Sequence, residues 1–272
     1  MPFLELTGCE VYYEVHGDGP ALVFAHGRGG NHLSWWQQIP HFRDRYRCVT
    51  FAHRGFAPST VAPGAPVHEA FADDLAALID HLQLTDVRLV AQSMGGWTAL
   101  GYALRFPARV RALVMASTTG GVAPLIADDE AARLRAERPS NEALVARGIS
   151  PATGERMARE QPALAFLYEE IRTLRDARLD RPPATPSTGA TPTPSTPVEA
   201  LAALSMPVLC IAGEEDTIFL PATLEAFAAR VANGRCVRVP RAAHSVYFER
   251  APVFNQIVDE FLAWLSSPEP SA

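Results

Sequence analysis

Three absences in the sequence exclude whole classes of function. The chain has no run of Lys or Arg and a formal net charge of -6, which excludes a surface built to bind nucleic acid. It has no uninterrupted apolar stretch long enough to span a membrane. Residues 1–6 lack a basic segment followed by an apolar core, so we expect no signal peptide.

Cysteine is scarce as well. The four cysteines, Cys9, Cys48, Cys210 and Cys236, lie far apart in the sequence, and no close pair indicates a metal site or a redox motif. Three of them lie in apolar runs typical of strands, which favours buried free thiols. We therefore expect a reducing, cytoplasmic environment.

The composition that remains is that of a globular protein. Of the 272 residues, 48% are hydrophobic and 20% are charged, which is enough apolar material to bury a core. This length suits one large α/β domain, or a core domain that carries an insertion.

Apolar segments alternate with helical ones over most of the chain. Residues 3–7 and 10–15 predict an entering hairpin, and six further strands are predicted at residues 21–25, 46–52, 87–91, 110–117, 207–212 and 235–239. Between two of these strands, apolar residues recur at helical spacing: Phe71, Leu75, Leu78, Ile79 and Leu82. Apolar strands separated by helices predict an α/β fold, with a mostly parallel eight-stranded sheet covered on both faces.

The alternation stops between residues 120 and 204. This segment is charged, and it predicts helices at residues 128–138, 141–147 and 162–178. We interpret it as a helical cap or lid on a core domain formed by residues 1–119 and 205–272. Residues 181–197 are rich in Pro and Thr, which favours extended chain and indicates a lid segment or a linker.

Ser93 lies where a predicted strand meets a predicted helix. The strand at residues 87–91 runs into Ala91-Gln92-Ser93-Met94-Gly95-Gly96, and a helix is predicted at residues 97–106. Small residues two positions before and after the serine allow a sharp turn, which raises the hydroxyl above the sheet. A serine in this position is typical of a catalytic nucleophile.

A serine nucleophile needs a base, and the base needs an acid that orients it. His244 follows the predicted strand at residues 235–239 in a loop of small residues, and we interpret it as the base. Asp216 follows the strand at residues 207–212 and is the predicted acid, with Glu215 and Glu214 as alternatives. Each residue follows a separate strand, and reactive groups gather at the carboxyl ends of parallel strands.

A glycine-rich loop begins at His26, directly after the strand at residues 21–25. Its flexible backbone is better suited to offering amide donors than to holding a base. We predict that the backbone amides of Arg28 and Met94 form an oxyanion hole, with Gly29 as the alternative to Arg28. The His26 side chain is a candidate for the substrate pocket.

Three aromatic residues complete the predicted pocket. Trp35 and Trp36 follow the glycine-rich loop, and Phe166 lies in the predicted cap, so all three could line an apolar site. Five further histidines are interpreted as surface or ordinary structural residues: His16, His41, His53, His68 and His81. His32 could face the pocket, although no strand end positions it.

Together these motifs resemble the α/β-hydrolase superfamily over essentially the full length of the chain. The matching segments are His26-Gly27, Arg54-Gly55, Ala91-x-Ser93-x-Gly95-Gly96, Gly213-x-x-Asp216, and His244 with Glu249 and Pro252 behind it. The family's usual Asp-x-Arg-Gly-x-Gly-x-Ser is altered, with Ala52 at the aspartate position and Ala57 at the second glycine. A positive φ at Ala57 would cost about 1 kcal/mol.

The resemblance implies a serine hydrolase that cleaves carboxylic esters or lactones of apolar, small-to-medium substrates through an acyl-enzyme. This serine chemistry implies no metal ion or organic cofactor. A serine nucleophile argues against the haloalkane dehalogenase and epoxide hydrolase branches, which use aspartate. C–C hydrolases of meta-cleavage products typically carry Asn and Trp where this chain has Gln92 and Ser245, so hydrolysis of a diketone-like substrate is the alternative activity. A ligand-binding receptor on a hydrolase scaffold is an alternative of another class. Whether the protein forms a homodimer is left open.

Overall fold

Eight strands form one sheet in the computed structural model, which describes residues 2–174 and 195–265. They are β1 (Phe3–Leu6), β2 (Cys9–His16), β3 (Ala21–Ala25), β4 (Arg47–Phe51), β5 (Val87–Gln92), β6 (Val110–Ala116), β7 (Val208–Gly213) and β8 (Gly234–Val239). Their order across the sheet is β1-β2-β4-β3-β5-β6-β7-β8. The pairs β1–β2 and β2–β4 are antiparallel, and the other five pairs are parallel.

The central strands are apolar because both faces of the sheet are covered. Every residue of β3 and of β7 is buried, as are four of the five residues of β4. The predicted number of strands and their mostly parallel pairing are confirmed, and each predicted strand agrees with the structure to within one residue at either end.

Helices cover the two faces of this sheet. They are α1 (Ile39–Phe42), α2 (Phe71–His81), α3 (Gly95–Arg105), α4 (Asp128–Ala136), α5 (Asn141–Ala146), α6 (Gly154–Glu160), α7 (Pro162–Thr173), α8 (Pro221–Ala228), α9 (Val246–Glu249) and α10 (Ala251–Trp264). Apolar side chains of α2, α3 and α8 pack in one core cluster, and those of α1, α9 and α10 pack in a second. Each cluster also contains strand residues, so the sheet separates the two cores.

Four of these helices, α4 to α7, lie between β6 and β7 and belong to residues 120–204, which we call the helical insertion. The prediction missed α6, because this helix is mostly polar and its buried residues are only Gly154 and Met157. The predicted helix at residues 162–178 is present as α7, which ends at Thr173. Residues 175–194, which include most of the Pro- and Thr-rich tract, lie outside the described residues.

The cysteines are free, as predicted. Cys9, Cys48 and Cys210 are buried, whereas Cys236 on the edge strand β8 is only partly buried. Among the described residues, no helix combines the length and the apolar composition that crossing a bilayer requires.

Candidate active site

Ser93 occupies the turn between β5 and α3. Its φ is +50°, in the left-handed region that costs a side-chain-bearing residue about 1 kcal/mol or more. The turn is fixed on both sides, because the Ser93 amide donates to the carbonyl of Ala116 at 3.0 Å and its carbonyl accepts from the Gly96 amide at 2.9 Å. A Cβ at Gly95 would lie 2.2 Å from the carbonyl oxygen of Ala25. Glycine there lets α3 begin directly against the end of β3.

Asp216 and His244 meet at the same edge of the sheet, after β7 and β8. Asp216 Oδ2 lies 3.0 Å from His244 Nδ1, and the two side chains are almost completely buried. Asp216 Oδ1 accepts from the amides of Ile218 at 2.8 Å and Phe219 at 2.9 Å. With both oxygens engaged, the carboxylate has one orientation and holds the imidazole by Nδ1. This leaves Nε2 of His244 for another partner.

Of the three acids considered for this position, only Asp216 contacts the histidine. Glu215 instead binds Arg156 of α6 through both carboxylate oxygens. Glu214 is exposed, and its carbonyl oxygen accepts from Arg138 at 3.1 Å.

Ser93 and His244 are linked through the residue that precedes the serine. Gln92 is buried, and its Nε2 donates to the carbonyl oxygen of His244 at 3.3 Å. The Ser93 hydroxyl itself makes no hydrogen bond within the described part of the chain. Catalytic hydrogen bonds are often formed only in the substrate complex, so this geometry is compatible with a serine that awaits its substrate.

The loop after β3 packs against Gln92 and Ser93. A Cβ at Gly27 would lie 1.9 Å from Gln92 Oε1 and 3.1 Å from the Cβ of Ser93, so only glycine fits. Within residues 2–174 and 195–265, the backbone amides of Arg28 and Met94 donate no hydrogen bond. The Gly29 amide, the alternative donor, is likewise unpaired there. Free amides on both sides of a serine are available to a bound oxygen.

His26 is completely buried rather than open to a pocket. Its Nδ1 lies 2.8 Å from the carbonyl oxygen of Gly27, and its Nε2 lies 2.9 Å from both the backbone nitrogen and Nδ1 of His53. Burial lowers the pKa of His26 to about 3, so the ring is neutral. The prediction that its side chain lines the substrate pocket is therefore wrong.

His53 is buried: it is 1% exposed, and burial lowers its pKa well below the usual value. Of the two contexts predicted for it, the surface one is therefore wrong, and the structural one agrees with its burial. Its Nε2 lies 2.7 Å from the hydroxyl of Thr98 on α3. The sequence did carry a signal, because His53 directly follows the predicted strand at residues 46–52, as His26 follows the strand at residues 21–25.

The aromatic residues predicted for the pocket separate into two kinds. Trp35 has no exposed surface and packs against Phe24 and Tyr247 in the core, so its contacts are those of a core residue. Trp36 is 44% exposed, and its ring lies 6.3 Å from that of Phe248. Phe166 is 67% exposed and borders an open cavity of about 530 Å³ within the helical insertion.

The helical insertion contacts the site residues directly. Ser245 donates to the hydroxyl of Tyr168 on α7 at 3.1 Å. A Cβ at Gly29 would lie 2.6 Å from Cγ of Arg172, also on α7. The start of α6 lies against the residue before His244, since a Cβ at Gly154 would lie 2.5 Å from the Cβ of Ala243.

An ion-pair network, which we call the arginine clamp, joins α6 to both catalytic loops. Arg156 of α6 binds Glu215, next to Asp216, and lies 3.0 Å from Glu160 at the end of the same helix. Glu160 in turn binds Arg241 of the His244 loop at 2.7 Å. These four side chains are between 21% and 56% exposed.

Glu249 supports the His244 loop from inside. Its Oε1 accepts a 2.5 Å hydrogen bond from the Ala243 amide, whereas its Oε2 is buried and has no partner within the described residues. Burial raises the pKa of this carboxyl to about 8, and the nearby Glu215 and Asp216 add to the shift.

The altered segment before Ser59 is held by other contacts. Arg54 binds Asp74 of α2 in a buried ion pair, with Nε 2.6 Å from Oδ2. The Ser59 hydroxyl donates to the carbonyl of Ala52 at 2.7 Å. Ala57 does not adopt a positive φ, so the strain that we considered for that position is absent.

No group of three or more His, Cys, Asp or Glu side chains within residues 2–174 and 195–265 is arranged to hold a metal ion. The buried Asp216–His244 pair, the Ser93 turn and the unpaired amides of Arg28 and Met94 make up the candidate site.

The chain is similar to known esterases and lactonases. The chain is 26% identical to 3-oxoadipate enol-lactonase 2 of Acinetobacter baylyi over 251 residues, which is 89% of this chain and 88% of that one. A thermophilic esterase from Thermogutta terrifontis is 26% identical with a TM-score of 0.78, over 98% of this chain and all of the other. The enol-lactonase from Burkholderia xenovorans LB400 shares the fold, with a TM-score of 0.74 at 22% identity over 96% of this chain and all of the other.

A model of the alpha/beta hydrolase fold matches residues 20–251, which covers every strand from β3 to β8 and each residue of the candidate site. On this match and on the eight-stranded sheet, the chain belongs to the α/β-hydrolase family.

Proposed function

We propose that this protein is a serine hydrolase that cleaves carboxylic esters or lactones of apolar, small-to-medium substrates. The observation that carries the proposal is the buried Asp216–His244 hydrogen bond at the same sheet edge as the strained Ser93 turn. The free amides of Arg28 and Met94 support it, because they are suited to stabilise a tetrahedral oxyanion. The stacked ring of Phe219, 5.9 Å from that of His244, supports an apolar substrate.

In the proposed cycle, His244 takes the proton of Ser93 as its oxygen attacks the substrate carbonyl. Asp216 keeps the imidazole in the tautomer with hydrogen on Nδ1 and stabilises the imidazolium that forms. The Arg28 and Met94 amides bind the oxyanion, and the alcohol leaves with the proton from His244. Water activated by His244 then releases the acid from the acyl-enzyme, so the cycle needs no cofactor. In this proposal residues 120–204 act as the cap over the site.

The test is hydrolysis of p-nitrophenyl esters by wild type and Ser93→Ala. We expect the variant to lose roughly 10⁴-fold or more in kcat, since the nucleophile is removed. Ser117→Ala is the matched control, because Ser117 is also a buried serine with positive φ at the end of the adjacent strand. Its hydroxyl has no partner within the described residues, so we expect little change in rate.

A panel of esters, lactones and diketones, assayed with the same variants, separates the alternatives. Diketone cleavage in preference to ester cleavage would support the C–C hydrolase activity instead. Tight ligand binding without turnover, unchanged in Ser93→Ala, would contradict the proposal and support a receptor. Labelling by a fluorophosphonate should modify Ser93, as checked by peptide mass spectrometry.

A further inference from the structure

A chain of buried side chains connects the loop after β3 to helix α3. It consists of Thr98, His53 and His26, which we call the histidine relay, and none of the three is more than 1% exposed. The hydroxyl of Thr98 lies 2.7 Å from His53 Nε2, His53 Nδ1 lies 2.9 Å from His26 Nε2, and His26 Nδ1 lies 2.8 Å from the Gly27 carbonyl oxygen.

The direction of every hydrogen bond in this relay follows from one backbone group. The His53 backbone amide can only donate, and it lies 2.9 Å from His26 Nε2, so that nitrogen must accept. The proton of the neutral His26 ring is then on Nδ1 and points to the Gly27 carbonyl. A lone pair on His53 Nδ1 would repel that of His26 Nε2 at 2.9 Å, so His53 Nδ1 carries hydrogen and shares the lone pair of His26 Nε2 with the backbone amide. His53 Nε2 is then left to accept from the Thr98 hydroxyl.

Both rings stay neutral in this arrangement. Burial lowers the pKa of His26 to about 3 and lowers that of His53 well below its usual value, and the neighbouring His26 adds to the lowering at His53. A neutral ring has one donor and one acceptor, so each tautomer is determined by its neighbour.

The end of the relay fixes a peptide plane. The Gly27 carbonyl accepts from His26 Nδ1 and from the Gly30 amide at 3.0 Å. A trans peptide is planar, with its carbonyl and its amide hydrogen pointing in opposite directions. Anchoring the Gly27 oxygen therefore sets the direction of the Arg28 N–H, which has no partner within the described residues.

The other end of the relay is on the helix that follows the nucleophile. Thr98 lies in the first turn of α3, and Met94 is the N-cap residue of that helix. The relay thus connects the element that carries the Met94 amide to the loop that carries the Arg28 amide.

We propose that His53, anchored by Thr98, is a positioning residue for the oxyanion hole, because it holds His26 in the tautomer that pins the Gly27 carbonyl and directs the Arg28 amide. This inference rests on the proposed function for its kinetic consequence. The tautomers themselves can be measured without any substrate.

The first experiment is ¹⁵N–¹H long-range correlation NMR on the full chain labelled at histidine, at pH 7. We expect His26 and His53 to be neutral with hydrogen on Nδ1, and Thr98→Val to change the ring signals of both, because His53 Nε2 loses its donor. A ring with hydrogen on Nε2, an imidazolium form, or His26 signals unaffected by Thr98→Val would overturn the proposal.

The second experiment is ester hydrolysis by Thr98→Val. We expect kcat to fall about tenfold to a hundredfold with KM within about twofold, since an oxyanion donor acts mainly in the transition state. Thr98→Ser keeps the donor and should recover most of the rate. Thr50→Val is the control, because the buried Thr50 hydroxyl has no partner within the described residues and its loss should leave kcat unchanged.

If Thr98→Val does not fold, His53→Asn and His53→Leu replace it. The Asn amide can still donate to His26 and should retain more kcat than Leu, whereas equal and unreduced kcat in both would overturn the proposal. A wild type without esterase activity, or Ser93→Ala with full activity, would instead contradict the proposed function, and the NMR result would still decide whether the relay exists.

Discussion

The two sides of the candidate site are held by opposite kinds of interaction. The histidine relay on the oxyanion side is neutral and almost completely buried. The arginine clamp on the Asp216–His244 side is made of charged side chains that are between 21% and 56% exposed. Leaving a buried polar group without its partner costs about 1–3 kcal/mol, whereas an exposed ion pair contributes about 0–1 kcal/mol. We infer that the oxyanion side is the more rigid of the two.

The physical reason lies in what each side must do. An oxyanion hole works because its donors are already in place before charge develops, which favours a buried and neutral support. In the proposed cycle the imidazole of His244 exchanges protons, and its support comes from Asp216 and from Glu249 behind the loop. The exposed clamp then only ties the helical insertion to that loop.

Among substitutions of the groups that support Ser93, the largest expected effect is that of Asp216→Asn, which removes the charge at the centre of the less rigid side. We expect kcat to fall about 10³- to 10⁴-fold, because the amide favours the wrong tautomer of His244. Ester hydrolysis measures the loss. A decrease of less than tenfold would mean that Asp216 does not orient the base.

On the oxyanion side, Gly27→Ala tests how tightly the loop is packed. The new Cβ would lie 1.9 Å from Gln92 Oε1, so Gln92 must move and disturb both Ser93 and the His244 loop. We expect kcat to fall about tenfold to a hundredfold. Gly64→Ala is the control, since nothing lies within 4 Å of its Cβ position. Its φ of +80° should cost about 1 kcal/mol of stability and leave kcat unchanged.

Glu249→Gln tests the buried carboxyl behind His244. The folded-state pKa of Glu249 is raised to about 8, above the usual value of 4.5, so the folded protein binds this proton more tightly than the unfolded chain. The free energy of unfolding of wild type therefore falls as the pH rises from about 4.5 to 8, because the proton on Glu249 is lost from the folded state. Below and above this window, the contribution of Glu249 does not change with pH. Urea unfolding should show the variant gaining stability relative to wild type between pH 4.5 and pH 9, by on the order of 4 kcal/mol. A stability difference that is the same at both pH values would contradict the raised pKa.

The smallest expected effect is that of Arg156→Gln in the arginine clamp. We expect kcat/KM to fall about twofold to fivefold at low salt and to match wild type in 1 M NaCl, where exposed charges are screened. Arg133→Gln is the control, because Arg133 forms an i,i+4 pair with Glu137 within α4 that is more exposed and contacts neither the Asp216 loop nor the His244 loop. If the decrease in kcat/KM persists in 1 M NaCl, the arginine clamp is as rigid as the histidine relay, and the two sides of the site do not differ in rigidity.

Much of the fold could be predicted because its signals are local. Apolar runs such as residues 207–212 are required by burial on both faces of a parallel sheet, and the periodic residues from Phe71 to Leu82 are required by a helix with one apolar face. Helix α6 was missed because its polar residues carry no such periodicity, and its neighbours are Ala243 and Glu215, distant in sequence.

The candidate site divides in the same way. Ser93, Asp216 and His244 follow strand ends, and a parallel sheet brings such positions to one edge whatever lies between them. The relay was missed because His26, His53 and Thr98 follow or belong to three different elements, and no spacing between them marks a hydrogen bond. Trp35 was predicted for the pocket because aromatic residues suit both pockets and cores. In the structure it packs against Phe24 and Tyr247 in the core.

The sequence by itself determined the eight strands, their mostly parallel pairing and the positions of the residues that follow them, because burial and backbone geometry act over short stretches of chain. Only the tertiary structure decided that Asp216 rather than Glu215 holds His244, that His53 is buried against His26, and that α6 contacts both catalytic loops. These outcomes depend on which side chains are brought together once water is excluded. That exclusion is a property of the packed molecule and of no single segment.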